Sequence, residues 1–191
     1  KGGEWTLAEI VDYNRIAARA FLEHLARNRR QWLEDYRAIN ARSCTRREKP
    51  YGFVVPRAQR DPGTAVEMLE ILQRGLVEVH EATDDIVLDG VTWPAGTRLV
   101  RLDQPAGTFV KTLLEVQEYP DVRQWPEGPP RNPYDITGHT LPIQMGVRAV
   151  PVEQPIPADL PLRLLEAPVR HEGHVAGPAE GGVAWVFDER A

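Results

Sequence analysis

The chain has 191 residues, 42% of them hydrophobic, which suffices for one substantial core with an attached helical arm and is tight for two full domains. Its formal charge of -5 provides no long-range attraction to nucleic acid or to an anionic bilayer, so no nucleic-acid partner is expected. The apolar runs are a few residues long, against the ~20 that span a bilayer, and a single cysteine, Cys44, excludes an internal disulfide framework or a cysteine-based zinc cluster.

The opening Lys1-Gly2-Gly3-Glu4 has no signal-type leader, and both ends read as truncations of a longer protein. Thr6 and Glu9 form a T-x-x-E capping box that predicts a helix start. Leu7, Ile10, Val11, Ala17, Phe21, Leu22 and Leu25 keep helical spacing, and Trp32, Leu33, Tyr36 and Ile39 resume it, so one long or broken helix is expected to about Arg42. Its apolar stripe exceeds what a small sheet needs, which points to a neighbouring domain. Arg27, Arg29 and Arg30, then Arg42, Arg46 and Arg47, read as solvated helix ends.

After a charged linker, Tyr51 to Val55 reads as a buried strand. Asp61-Pro62 supplies an N-cap and first-turn proline for a helix that runs to Gly75, and Val77 to Val79 reads as a second strand. This β-α-β unit predicts a parallel pair and an open, mainly parallel α/β sheet. Ile86 to Leu88 and Val91 to Trp93 flank an Asp89-Gly90 turn, a hairpin insertion, and Thr97 to Leu102 follows as a further strand. A short helix is expected from Pro105 to about Glu118. Eleven of the seventeen prolines then fall between Tyr119 and Pro168, so that stretch is expected to be extended, with its apolar islands Leu141 to Val147 and Leu160 to Leu165 partly ordered against the sheet. Val183 to Phe187 reads as a last buried strand. The expected organisation is thus a helical arm over 1-48, an α/β domain over 49-118, a wrapping segment or linker over 119-168, and over 169-191 a glycine-rich loop with the final strand.

The usual catalytic centres find no residues to build them. None of His24, His80, His139, His171 and His174 lies in an H-E-x-x-H, and His171 with His174 sit among glycines without a helix to aim both rings at one ion. The single serine, Ser43, lies in a polar linker and no G-x-S-x-G is present. Cys44, among arginines, is either a reactive thiol or an inert linker cysteine. At the first strand-helix junction Arg57, Arg60 and Gly63 form a weak anion-site candidate, although Asp61 as N-cap competes for the same position. Adjacent acids such as Glu34 with Asp35 and Asp84 with Asp85 point different ways and read as solvated charges. Trp5, Trp32 and Trp185 fall on apolar faces that core packing would explain, whereas Trp93 and Trp125 stand beside prolines, where a peptide platform is conceivable.

Several strings together carry a resemblance: Gly3-Glu4-Trp5-Thr6-Leu7, Pro50-Tyr51-Gly52-Phe53-Val54-Val55-Pro56 with Gln59-Arg60-Asp61-Pro62, and Gly75-Leu76-Val77-Glu78-Val79-His80. Tyr119-Pro120-Asp121, Tyr134-Asp135-Ile136-Thr137 and Leu141-Pro142-Ile143-Gln144-Met145-Gly146-Val147 complete the set. Over about residues 3 to 150 the chain resembles the region that follows the catalytic domain in large bacterial zinc carboxypeptidases of the carboxypeptidase A class. The resemblance implies that 1-48 is an exit helix of the peptidase domain and that the sheet is flavodoxin-like or class I glutamine amidotransferase-like. It also implies that the parent is secreted or periplasmic, and that zinc belongs to the peptidase domain and not to this region. No peptidase site residue and no amidotransferase nucleophile has a counterpart here. The expected function is therefore a non-catalytic accessory region with the peptidase domain as partner, inactive alone. The alternatives are a self-standing binding module for a small anion or nucleotide, and an oligomerisation segment.

Overall fold

A computed structural model of the chain describes residues 3, 5–118, 120–132 and 138–169. It divides into two compact units, Lys1–Arg42 and Ser43–Ala191. The His171/His174 pair, the strand expected at Val183 to Phe187, Trp185 and the string Tyr134 to Thr137 lie outside the described residues.

The first unit is helical. Helix α1 (Leu7–Arg27) starts where the sequence predicts: the Glu9 amide donates to Thr6 Oγ1 at 3.4 Å while the Thr6 amide donates to Glu9 Oε2 at 2.8 Å. Helix α2 (Arg29–Cys44) follows after an interruption at Asn28, whose side-chain amide bonds back to the His24 carbonyl at 2.9 Å.

In the second unit, β1 (Gly52–Val55) leads to α3 (Pro62–Arg74), capped by Asp61, which accepts from the Thr64 amide at 3.0 Å. Then come β2 (His80–Ala82), the hairpin β3 (Ile86–Leu88) and β4 (Val91–Trp93), and β5 (Arg98–Arg101). Helices α4 (Gly107–Leu114) and α5 (Leu141–Met145) precede β6 (Val150–Val152) and β7 (Leu162–Leu164). The hairpin matches its sequence signal: Asp89 and Gly90 both take positive φ, 51° and 74°, as a tight two-residue turn requires, and Leu88 pairs with Val91.

The sheet is not the parallel one expected. Its order is β6-β1-β5-β2-β7, and all four pairings are antiparallel. Strands β1 and β2 do run the same way, since each is antiparallel to β5, but β5 lies between them and the helical crossover skips a position. The flavodoxin-like or amidotransferase-like architecture is therefore overturned. The uninterrupted apolar run Phe53-Val54-Val55, which reads like a strand of a parallel sheet buried on both faces, has another cause. Phe53 and Val55 pack under α3 and α4 with Met68, Leu72, Val100, Leu102 and Val110, while Val54 faces the hairpin with Ile86, Leu88, Trp93 and Leu99. Helices cover one face and the hairpin covers the other, so an antiparallel central strand has no wet side.

Val77 to Val79 is also not a strand. Both valines are buried, yet the ladder begins at His80. The proline-rich stretch, expected to lie against the sheet, supplies both of its edges: β6 pairs with β1 and β7 with β2. Pro151 sits in β6, the kind of edge position that tolerates a residue with no amide hydrogen to donate.

Candidate functional site

The helical unit, taken by itself, leaves its apolar side chains in water. No residue of α1 is buried, and Leu7, Ile16, Leu22, Leu33 and Tyr36 are each at least 60% exposed. The spacing that predicts an amphipathic helix is present, but the face it creates is uncovered. Three ring contacts are made inside the unit. Trp5 stacks on Tyr13 with centroids 5.1 Å apart, and Trp32 meets Phe21 edge-on at 6.1 Å and His24 at 6.0 Å. Eleven residues of straight helix advance about 16 Å, so the Phe21 to Trp32 contact needs the bend at Asn28. Trp5 and Trp32 are thus surface residues and not the core residues their apolar setting suggests.

Three pairs of charges on this unit are matched within their own helices. Arg15 pairs with Asp12, Arg27 with Glu23 and Arg30 with Glu34, each three or four residues apart and well exposed. Asp35 accepts from Gln31 at 2.9 Å. The exposed apolar side chains are numerous enough to form a surface suited to another apolar surface.

The strand-helix junction of the second unit is separated by the fold. Arg57 and Arg60 are exposed and Gly63 is half-buried. Arg57 borders a cleft of about 300 Å³ that Val55, Pro56, Pro62, Leu69 and Arg98 also line, but Arg60 and Gly63 do not line it. Asp61 holds the helix N-terminus through Thr64, so the position an anion would take is filled by a carboxylate of the chain itself. Cys44 is exposed.

The remaining sequence candidates take structural roles. Asp85 accepts from the Ala95 amide at 3.0 Å and Asp84 from the Asp85 amide at 2.8 Å, so these acids shape a turn. Trp93 is buried against the hairpin core with the Arg148 guanidinium 5.6 Å over its ring, which leaves no free face for a peptide. His80 lies in β2, and its buried Nδ1 has no hydrogen-bond partner among the described residues; burial holds its pKa below the ordinary histidine value. His139 contacts Gln117. Among the described residues no three His, Cys, Asp or Glu side chains gather into a metal cage, and no helix is long and apolar enough to cross a membrane.

Sequence reasoning passed over the arginines that the fold does assemble. Arg46, Arg47 and Arg101 line one cavity, although Arg46 and Arg47 read as a solvated helix end and Arg101 as the tail of a strand. The only local signal was the alternation in β5, which sets Leu99 and Arg101 on one side and Val100 and Leu102 on the other. Comparison of the chain with protein families, curated proteins and solved structures found no match.

Proposed function

We propose that this chain is a non-catalytic accessory region that packs through the apolar face of α1 and α2 on the peptidase domain of a zinc carboxypeptidase-like protein. The observation that carries the reading is the uncovered stripe from Leu7 through Phe21 and Leu22 to Ile39. Full burial of a large apolar side chain is worth about 1.5–3 kcal/mol. A stripe of this length is a standing cost in water and a large gain against a matching surface. Covalent linkage between the two partners would also remove much of the translational penalty of association. The choice of partner rests on the strings that resemble the region after such peptidase domains, beginning with Gly3 to Leu7, which leads into α1. Peptide hydrolysis and its zinc are assigned to the partner, and this region positions or shields it.

The test is reconstitution in trans. The chain and the peptidase domain encoded beside it in the parent gene are purified separately and mixed. A 1:1 complex is expected, with zinc-dependent release of C-terminal residues by the complex and none by the 191-residue chain alone. Peptidase activity of the chain alone, or no association with the peptidase domain, would refute the reading. A stable homodimer lost in Leu22→Asp would identify a second copy as the occupant instead.

A further inference from the structure

A cavity of about 370 Å³ opens beside the end of β5, lined by Arg46, Arg47, Tyr51, Arg101, Asp103 and Ile156 among others. Its charge is unbalanced, with three guanidinium groups against one carboxylate on the wall. Arg101 is fixed by a two-pronged pair with Asp103, Nε to Oδ1 at 2.9 Å and Nη2 to Oδ2 at 2.7 Å, and retains further N–H donors. Arg46 donates from Nε to the Glu48 carbonyl at 3.3 Å, and its Nη2 lies a loose 3.7 Å from the Glu48 carboxylate. Arg47 donates from Nη1 to the Arg46 carbonyl at 2.8 Å and has no ion-pair partner among the described residues. Its charge still reaches the cavity, since it helps hold the Asp103 carboxyl below the usual range after the larger effect of Arg101. The loop that carries these arginines is pinned by the Tyr51 hydroxyl, which donates to the Arg47 carbonyl at 3.0 Å.

The lining also includes the apolar bodies of Tyr51, Pro155 and Ile156. A Cβ at Gly52 would come within 2.9 Å of Ile156 Cδ1, so the glycine is what lets Ile156 close down beside β1. The volume is at the lower end of the ~300–1,000 Å³ range of small-molecule sites and leaves room beyond a bare phosphate. A phosphate monoester carries nearly two negative charges at neutral pH, which matches the excess of arginine over carboxylate, and guanidinium groups bind its oxygens in pairs.

We propose that this cavity binds a small organic phosphate monoester, its phosphate held by Arg46, Arg47 and Arg101 and its apolar body set against Tyr51 and Ile156. The site lies wholly in the second unit and is independent of the docking face on the first.

Calorimetric titration of the full chain with phenyl phosphate, inorganic phosphate and benzoate tests it. Saturable binding of phenyl phosphate is expected, about tenfold tighter than either control, because only it supplies both the dianion and the body. Arg47→Glu, an exposed change, should weaken it about tenfold or more without altering thermal unfolding, and Arg47→Gln should fall between. No saturable binding, or binding that Arg47→Glu and Arg47→Gln both leave intact, would overturn the site. Equal binding of benzoate would overturn the phosphate assignment, and equal binding of inorganic phosphate would overturn the organic body.

Discussion

The side chain of Gln104 takes both backbone groups of Glu78: its Oε1 accepts from the Glu78 amide at 2.7 Å and its Nε2 donates to the Glu78 carbonyl at 3.1 Å. The same Nε2 also donates to the Arg101 carbonyl at 2.7 Å, and the residue is 3% exposed. A buried amide thus takes the backbone groups of the residue between Val77 and Val79, both of which are buried outside the ladder.

Gln104→Leu keeps the volume, removes all three bonds and takes from the part-buried Glu78 amide and carbonyl their side-chain partner. The expected loss is about 1–3 kcal/mol of stability in the second unit, read by urea unfolding, because each of the three lost bonds contributes about 0.5–1.5 kcal/mol and water can reach part of what is freed. A loss under about 0.5 kcal/mol, the scale of a neutral surface change, would show that the bridge is dispensable.

At the hairpin tip the Asp89 carboxylate accepts from the Glu153 and Gln154 amides at 2.7 and 2.9 Å, tying the turn to the chain just beyond β6. Asp89→Ala should release that segment at a cost of about 2 kcal/mol, with faster amide exchange at both residues. Asp89→Asn retains one acceptor oxygen and should recover part of the protection.

His80 gives the second unit an acid sensitivity. Burial lowers its pKa below 6.5, and Arg101 lowers it further, whereas Glu78 and Asp103 oppose the shift. The unfolded chain therefore binds a proton that the folded chain resists. Stability falls as pH drops through about 6.5 and continues to fall until the folded value is passed. His80→Leu should flatten the stability curve across this window and leave stability above pH ~7 equal or slightly higher, since it also removes the unpartnered Nδ1. An unchanged slope would assign the sensitivity elsewhere.

Local chemistry was legible in the sequence. Thr6 with Glu9, Asp61 with Pro62, and Asp89-Gly90 each act within four residues, and each forms the cap or turn its spacing predicts. Strand order was not. Whether β5 enters between β1 and β2 depends on pairings such as Val54 with Leu99 and His80 with Leu99, which are not local in the chain. Glu81, directly opposite both Arg98 and Arg163 and bonded to them at 2.8 and 2.7 Å, locks that order with charges that look unremarkable in the linear chain. The apolar stripe of α1 and α2 was visible as periodicity, but periodicity cannot tell a covered face from an exposed one. The arginine cavity was hidden because Arg101 meets Arg46 and Arg47 only after β1 and β5 pair.

The docking claim is tested most directly by amide hydrogen exchange across Leu7 to Ile39, measured in the intact parent protein and in the 191-residue chain. Docking on the peptidase domain predicts strong protection of α1 and α2 in the parent and rapid exchange in the isolated chain, with the residues from Gly52 to Arg101 alike in both. Exchange through α1 and α2 that is as fast in the parent as in the isolated chain would contradict it.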